Sequence, residues 1–497
     1  MSIAQHYPVL HVVLPLIAAP VMVLARHGGF AWLLATAVSW TSLAISAALL
    51  AQVHDGGVIS YAIGSWAPPW GIEYRIDSAN AYLLVLVSLI GSVAVIYGRT
   101  SIEAEVPREQ HYLFYSMYSL CLAGLLGIAA TGDGFNLFVF LEISSLSSYV
   151  LIALGRDRRA LMASYQYLIM GTIGATFIVI GVGLLFLMTG TLNLVDIADR
   201  LPGVVDKRPV LAALAFITVG VSLKLALFPL HFWLPNAYAY APSAVTALLA
   251  ATATKVGAYI LLRFLFTIFG IEISFATLQA DGVILLAAAV AVIVGSLNAI
   301  RQTDVKRMLA YSSVAQVGYI ALGFGLVSVT GLSAGILHLF NHALMKGALF
   351  LALGSIVYRL GSTELRDLHG LARHMPWTFA AFTAGGLSLV GIPLTAGFIS
   401  KWYLLQATIE QGWWSLAVVV VVGSLLAVLY VWRVVEVAYF QPRPSSARKV
   451  REAPLALLVP TWILVLANIY FGIDTTLSVG TATNAARALL TAAGGAP

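Results

Sequence analysis

Residues 209–240 read PVLAALAFITVGVSLKLALFPLHFWLPNAYAY and decide the class of fold. The stretch is longer than the roughly 20 apolar residues that cross a bilayer as a helix. It also holds Lys224 and, five residues later, Pro229. Proline inside a membrane helix frees backbone carbonyls, which are tolerated only against protein or water. The stretch therefore predicts an interrupted membrane helix packed among others.

The rest of the chain has the same apolar character. Of its 497 residues, 60% are hydrophobic and 10% are charged, with a mean hydropathy of +0.92. A soluble chain is usually near 25% charged, and strict β-barrel alternation is absent. We therefore predict an all-α polytopic membrane protein with about 14 transmembrane helices. The apolar segments lie near residues 8–26, 30–52, 78–98, 111–131, 134–154, 163–189, 209–240, 243–268, 281–300, 306–328, 331–358, 377–409, 413–439 and 454–473.

The distribution of basic residues supports this count. With the N-terminus outside, the inner connections hold 17 of the 27 lysines and arginines, and the outer connections and tail hold six. Such an excess on one side is the positive-inside signal, and it predicts fourteen spans with both termini outside. The inner set comprises Arg26, Arg99, Arg108, Arg156, Arg158, Arg159, Arg301, Lys306, Arg307, Arg359, Arg366, Arg373, Arg433, Arg443, Arg448, Lys449 and Arg451.

Composition excludes several classes of function. The single cysteine, Cys121, excludes a disulfide framework, a CxxC metal site and a cysteine-ligated iron–sulfur cluster within this chain. The formal charge of +6 is scattered over short connections without interleaved aromatic residues, which argues against a nucleic-acid partner. We expect no cofactor and no metal in this chain.

The four remaining basic residues are Lys224, Lys255, Lys346 and Lys401, and all fall inside apolar spans. A lysine near the centre of a span costs about 2.5–3.5 kcal/mol on insertion scales. Snorkelling to the headgroups is the alternative, and it is strongest for Lys401, which is nearest the end of its span. Lysine suits a proton carrier in a poorly solvated place, because burial disfavours its charged form. The four lysines therefore indicate a proton path inside the membrane.

One carboxylate lies deep in the apolar part, Glu142 in FNLFVFLEISSLSSY of the fifth span. We interpret it as the ion partner of Lys224; the alternative is a glutamate that hydrogen-bonds neighbouring helices together. The serines that follow it could hold ordered water.

The eleventh span places three titratable groups on one helix face. His338, His342 and Lys346 are spaced i, i+4, i+8, so they follow one face over roughly 12 Å. A row of this kind is typical of a hydrated proton path. Zinc binding is an alternative, but the glutamate of HExxH is absent and no third ligand is evident. Core histidines without a transport role are a second alternative.

A second interrupted span indicates an internal repeat. The twelfth span, with LSLVGIPLTAGFISKW, contains Pro393 between two glycines, and Pro393 follows Pro229 by 164 residues. Interrupted helices at matching places point to an inverted repeat. We predict spans 1–3 (about 8–98), two inverted five-helix units (about 111–268 and 281–439) with breaks in spans 7 and 12, and a last span (about 454–473), all in one integral membrane domain.

Together these residues resemble a known family. Glu142, Lys224 before FPLHFWLP, Lys255 in ATATKVGAYILLR, HLFNHALMKG (338–347) and Lys401 in GIPLTAGFISKW are similar to the antiporter-like subunits. Such subunits occur in respiratory complex I, membrane-bound hydrogenases and Mrp-type multisubunit cation/proton antiporters. The length and the lysine in the twelfth span are most similar to the MrpD type. We expect no long C-terminal extension of the kind found in the MrpA type.

The resemblance implies a role for each buried group except Lys346, to which it assigns no step. In this family the Glu142-like and Lys224-like groups form an ion pair that gates the charge on the Lys255-like group. That group passes protons to the histidine path and then to the Lys401-like exit group. Lys346 receives a supporting role. The implied partners are other hydrophobic subunits, the lipid bilayer, protons and Na⁺, in a cell membrane of bacterial or archaeal type.

Three other functions stay open. A proton-pumping subunit of a redox complex, of the complex I or hydrogenase kind, would have the same sequence features, because its redox centres lie on partners. Such a chain would be a translocase subunit with no redox centre of its own. A self-sufficient organic-solute carrier should show convergent polar groups beyond the titratable row, and few are present. A purely structural subunit is hard to reconcile with four costly buried lysines.

Overall fold

The computed structural model describes residues 3–277, 279–445 and 450–492. Arg448 and Lys449, which enter the count of inner basic residues, lie outside the described residues. Helices dominate, and the strands are one antiparallel hairpin of β1 (Ile59–Ala62) and β2 (Glu73–Ile76). The helices before the first predicted unit are α1 (Tyr7–Ala25), α2 (Gly28–Gly56) and α3 (Ser78–Glu105).

The predicted five-span units have the same order of elements. In each, two straight helices precede a long helix, a broken helix and a final span. The first unit contains α4 (His111–Ala130), α5 (Gly134–Ala153), α6 (Arg159–Thr189), the short α7 (Leu194–Arg200), α8 (Arg208–Leu225), α9 (Trp233–Tyr240), α10 (Ser243–Ala251) and α11 (Ala253–Leu262). The second contains α12 (Ala280–Arg301), α13 (Val305–Gly325), α14 (Val329–Leu360), α15 (Pro376–Val390), α16 (Ala396–Glu410) and α17 (Trp414–Val435). They are followed by α18 (Leu455–Ile473) and α19 (Thr476–Ala492).

The number of spans agrees with the sequence. Among the described residues, 13 helices are long and apolar enough to cross a membrane. The broken pair α15 and α16 supplies the fourteenth span, because each half alone is only 15 residues long. The all-α polytopic fold with about 14 spans is confirmed.

The predicted breaks in spans 7 and 12 are present. Helix α8 ends where Ala226 takes a left-handed conformation (φ +59°), and α9 begins seven residues later. Helix α15 ends in the same way at Gly391 (φ +92°), and α16 begins at Ala396. The N–H of a left-handed residue satisfies one carbonyl of the last turn and the chain then turns away from the helix. The other carbonyls of that turn have no helical donor. Each break therefore leaves backbone groups of the bundle interior free for other partners.

The eighth span differs from the prediction of one helix over 243–268. It breaks at Thr252, whose backbone (φ −125°, ψ −58°) lies outside the helical region and separates α10 from α11. After Leu262 the helix also widens to a π-helical turn over Arg263–Ile268. The stretch has no proline at the break, so the sequence has no helix-breaking residue that marks it.

The connections cluster on two opposite faces of the bundle. One face, named here the basic face, is formed by residues 26–27, 105–110, 154–158, 241–242, 302–304 and 361–375. Contacts within it include a bridge between Asp304 and Glu364. The opposite face is joined by Asn193, which donates to Glu73 (2.8 Å), and by the Arg263–Asp77 ion pair (2.5 Å). The alternation of faces agrees with the predicted order of spans.

The centre of the bundle is α14. Every residue from 331 to 356 of this helix is buried, and it packs against α3, α10, α13, α15, α16, α18 and α19. By contrast, α6, α12 and α17 expose large apolar side chains such as Leu187, Leu286 and Leu425. The outer helices therefore face lipid or partner subunits, and α14 places its polar side chains in the interior.

Candidate functional site

The predicted site residues lie in the interior of the bundle. Lys255, His342 and Lys346 are fully buried, and Lys224, His338 and Lys401 are at most 7% exposed. Glu142 on α5 is partly buried. None of the salt bridges in the described part of the chain includes one of these groups. The buried lysines are therefore held by neutral partners.

Lys224 lies in the last turn of α8, directly before the first break. Its Nζ donates to the Ser145 hydroxyl on α5 (2.8 Å). Glu142, one turn earlier on α5, interacts with Lys224 electrostatically but is not in direct contact with it. Its Oε1 atom is buried and has no hydrogen-bond partner within the described residues. The predicted partners are thus adjacent, with Ser145 in the place expected for the carboxylate.

The unpredicted break at Thr252 provides a hydrogen-bond acceptor for Lys255. Because α10 ends at Ala251, the carbonyl of Ala250 is free, and Lys255 Nζ donates to it at 2.5 Å. The Thr254 hydroxyl also accepts from Lys255, at 3.3 Å. A Cβ atom built on Gly257 would lie 3.2 Å from Leu225, so α11 approaches the end of α8 closely here. The backbones that hold Lys224 and Lys255 are therefore neighbours.

The two histidines differ in their surroundings. His338 contacts Ser400 through Nδ1 (2.8 Å) and Gln316 through Nε2 (3.0 Å), whereas both ring nitrogens of His342 lack a hydrogen-bond partner in the described structure. The rings stack with centroids 6.0 Å apart. Buried polar atoms without protein partners are normally satisfied by water. The arrangement is suited to a hydrated path beside α14, and no group of three metal-binding side chains occurs in the described ranges.

Lys346 and Lys401 bind backbone carbonyls. Lys346 donates to the Leu309 carbonyl (2.7 Å) and to the Ser312 hydroxyl, both on α13. Lys401 on α16 donates to the carbonyls of Leu389 (2.8 Å) and Val390 (3.0 Å), which the second break frees at the end of α15. The breaks in the eighth and twelfth spans thus both supply acceptors for a lysine.

The groups form one interacting row across the two units. Lys255 is close enough to interact electrostatically with His338, His342 and Lys346. Lys401 interacts in turn with His338. With the Glu142–Lys224 pair and the contact between α8 and α11, the row runs from α5 through the centre to α16. All seven predicted residues are brought together in it.

The sequence did not identify the neutral partners of this row, although it indicated the serines after Glu142, among them Ser145, as groups that hold water. Ser145, Gln316, Ser312 and Ser400 are buried and bind the titratable groups directly. Serine and glutamine in membrane helices are common enough that nothing in the sequence separates these from others. The sequence reading also counts Lys306 as a loop residue, whereas the structure buries it in the first turn of α13.

Fourteen spans around a buried titratable row define a polytopic membrane protein with an ionisable core. The chain belongs to the NADH:quinone oxidoreductase/Mrp antiporter transmembrane family, whose model matches residues 131–427. It is 44% identical over 487 residues to the N subunit of the NADH-quinone oxidoreductase of Desulforudis audaxviator, covering 94% of this chain and 96% of that protein. It is 32% identical to the D subunit of the Na⁺/H⁺ antiporter of Alkalihalophilus pseudofirmus, over 93% of both. A protein in the Mrp complex of a Dietzia species has a TM-score of 0.90, with 28% identity and 98% of both chains covered. The expected family is confirmed.

Proposed function

We propose that this chain is the proton-translocating subunit of a multisubunit Na⁺/H⁺ antiporter. Protons pass along a relay of Glu142, Lys224, Lys255, His338, His342, Lys346 and Lys401. The observation that supports the proposal most is the row of four buried lysines, which neutral acceptors hold within the described residues. A buried ion pair favours keeping a lysine charged, whereas a hydroxyl or a carbonyl lets it exchange a proton with a neighbour.

The proposed mechanism begins at the first break. Lys224 alternates between the Ser145 hydroxyl, which it now contacts at 2.8 Å, and the nearby Glu142 carboxylate. When Lys224 pairs with Glu142, the carboxylate compensates the positive charge of Lys224, and Lys255 can take up a proton. When the pair opens, the charge on Lys224 repels that proton towards the histidines. Since charges interact strongly where water is excluded, a small movement of one side chain has a large effect.

The second part of the mechanism delivers the proton. His342 has two ring nitrogens free to bind water, and His338 links this water to Ser400 on the helix of Lys401. A neutral imidazole accepts a proton at one nitrogen and releases one from the other. Lys401 is the exit group, beside the carbonyls of the second break.

The proposal includes the orientation and the assembly. The basic face lies in the cytoplasm of a bacterial or archaeal-type cell, and both termini lie outside, because the inner connections hold most of the basic residues. The exposed apolar helices α6, α12 and α17 face lipid or other hydrophobic subunits. The similarity to the antiporter D subunit supports a multisubunit assembly.

A second candidate function is a proton pump within a redox complex. It is favoured by the 44% identity to the N subunit of an NADH-quinone oxidoreductase. The relay would be the same, and electron transfer in partner subunits would drive it. Mild-detergent copurification from the native membrane separates the two candidates. Small hydrophobic partners support the antiporter, and flavin or iron–sulfur partners support the redox complex.

The relay itself is tested with Lys224→Ala in the native assembly. We expect proton transport to fall by about 100-fold, the typical contribution of a proton-transfer group. Lys207→Ala is the matched control, because Lys207 is exposed on a connection. Native electrophoresis checks that both variants assemble. Wild-type transport by assembled Lys224→Ala would overturn the proposal.

A further inference from the structure

The basic face contains a cavity that the relay does not use. Its volume is about 510 Å³, and it lies between the connections that end spans 3, 5, 7, 9 and 11. Side chains of both charge signs line it, among them Glu105, Arg159, Lys306, Arg359 and Glu364. A cavity of this size and polarity holds many water molecules, since each occupies about 30 Å³ in the liquid. The cavity therefore has room for water on the basic face.

Lys306 is a buried residue of the cavity lining. It lies in the first turn of α13, is 5% exposed, and donates from Nζ to the Ala241 carbonyl at 2.8 Å. Two carboxylates, Glu105 and Asp304, interact with it electrostatically. Neither forms a salt bridge with Lys306 in the described residues. Lys306 is thus attracted by negative charge but is not locked in an ion pair.

Both carboxylates are held by other donors. Glu105 accepts from the backbone N–H and the hydroxyl of Ser243, at 3.0 and 3.1 Å, at the start of α10. Asp304 accepts from the backbone N–H of Arg307 (2.8 Å) and from the Thr363 hydroxyl. Their positions therefore do not depend on the charge of Lys306. Lys306 can lose and regain a proton while its surroundings stay in place.

Helix α13 connects Lys306 to the relay. Lys346 donates to the carbonyl of Leu309 and the hydroxyl of Ser312, which are three and six residues after Lys306 on the same helix. At a rise of 1.5 Å per residue, these acceptors lie about 4.5 and about 9 Å further along the helix axis. Lys346 is the relay group that has no separate step in the proposed mechanism. Lys346 is held by the helix that begins in the cavity, and the same helix holds His338 through Gln316.

We propose that the cavity is the proton-uptake vestibule of the second unit, with Lys306 as the group that passes protons from its water to Lys346. This inference rests on the proposed function. In the step, the Lys306 ammonium gives up one proton, which moves along the start of α13 to the neutral amine of Lys346. The Lys306 amine then takes a proton from water in the vestibule. Lys346 supplies His342, with which it interacts electrostatically.

The competing explanation is that Lys306 has only a structural role, in which its charged side chain donates a hydrogen bond to the Ala241 carbonyl. Such a role needs a donor and a charge, but it does not need the release of a proton. Arginine keeps both and stays protonated in proteins. The two explanations therefore predict different proton transport for Lys306→Arg and for a protein with a permanent cation at position 306. A structural role predicts normal transport, and a proton-transfer role predicts its loss.

The experiment uses Lys306→Cys in the native assembly, in membrane vesicles with the basic face accessible. Cys121 is the sole cysteine of this chain and is fully buried, so within this chain a reagent added from water reports on position 306. The wild-type assembly treated with the same reagents is the control for cysteines of the partner subunits. Two methanethiosulfonates that differ only at the nitrogen are compared. One attaches an aminoethyl group, which can release a proton, and the other attaches a trimethylammonioethyl group, which cannot.

We expect Lys306→Cys to lower proton transport by about 100-fold, as removal of a proton-transfer group does. The aminoethyl reagent should restore most of the transport, and the trimethylammonioethyl reagent should label the same cysteine without restoring it. Lys306→Arg should assemble and remain inactive. Reduction of the mixed disulfide should remove the restored activity again.

Several results would overturn the inference. They are wild-type transport by Lys306→Cys or Lys306→Arg, recovery with both reagents, or no labelling of assembled Lys306→Cys from the basic face. Lys255→Met, measured in parallel, separates this inference from the proposed function. If Lys255→Met is inactive while Lys306→Cys is active, only the vestibule fails. If Lys255→Met also transports normally, the relay fails as a whole.

Discussion

The two predicted five-span units differ in how they bind the lysine beside their broken helix. Each has a helix broken near a proline and a lysine beside the break. In the first unit Lys224 precedes the break and binds a hydroxyl from another helix, Ser145. In the second unit Lys401 follows the break and binds two carbonyls of its own broken span, those of Leu389 and Val390. A shared order of helices therefore does not imply shared chemistry at the break.

The difference concerns how easily each lysine changes partner. A backbone carbonyl is fixed by its helix, so Lys401 has a permanent acceptor. A serine hydroxyl can rotate, and Glu142 lies nearby with a carboxylate oxygen that has no hydrogen-bond partner in the described part of the chain. The first unit thus offers its lysine two alternative partners, one neutral and one charged, and the second offers neutral partners and histidines. We infer that switching belongs to the first unit and conduction to the second.

The largest effect is expected for Lys255, the group of the first unit that interacts with His338, His342 and Lys346 of the second unit. Lys255→Met should reduce proton transport by about 100-fold, because it removes the proton-transfer group that couples both units. Transport is measured with a pH-sensitive dye in vesicles, and assembly is checked by native electrophoresis. Lys207→Met is the control for the loss of a lysine outside the bundle. Substantial transport by assembled Lys255→Met would show that the units work independently.

A smaller effect is expected when the switch alone is removed. Glu142→Gln keeps the shape of the side chain but removes the charge that competes with Ser145 for Lys224. We expect transport to fall about 10-fold, equivalent to roughly 1.4 kcal/mol in the barrier. Glu142→Asp should retain more activity than Glu142→Gln. The control in the second unit is Glu410→Gln, at the exposed end of α16; equal losses in both glutamine variants would contradict a special role for the first unit.

The sequence predicted the breaks in the seventh and twelfth spans but not the break in the eighth. Pro229 and Pro393 located both breaks, because proline cannot complete the helix hydrogen-bond pattern. The break at Thr252 has no such marker. It is stabilised by side chains folding back on the backbone, with Thr252 donating to the Leu248 carbonyl (2.7 Å) and Lys255 donating to that of Ala250. Threonine makes the same bond to the i−4 carbonyl inside continuous helices, as Thr36 and Thr41 do in α2, so Thr252 does not mark a break in the sequence.

The sequence likewise identified only some of the site residues. Charged residues inside apolar spans are conspicuous, so all seven titratable groups could be chosen from the sequence. Their partners are ordinary serines, a glutamine and backbone carbonyls, and only packing selects these from many equivalents. Lys306 was not chosen from the sequence, because it lies among the basic residues counted in a connection. In the structure it is buried and donates to the Ala241 carbonyl, between α9 and α10.

The second break should respond to a change of its turning residue. Gly391 has a φ of +92°, and a Cβ atom there would lie 3.0 Å from Cδ of Lys401. Gly391→Ala should therefore destabilise the assembled protein by about 1–3 kcal/mol, the usual cost of a strained backbone conformation. A lower midpoint of thermal unfolding in detergent is the expected result. Gly412→Ala, also at positive φ but with no atom near its Cβ, separates backbone strain from contact with Lys401.

The smallest effect is expected at the matching residue of the first break. Ala226 has a φ of +59°, in the region where a side chain costs roughly 1–2 kcal/mol relative to glycine. Ala226→Gly relieves this strain but increases the freedom of the unfolded chain, so we expect a net stabilisation of about 0.5 kcal/mol. Thermal unfolding measures the change, and transport measures its consequence. If the first break has to move for Lys224 to change partner, Ala226→Gly should alter transport as well as stability. Unchanged transport in Ala226→Gly would place the switch in the side chains of Lys224 and Glu142 alone.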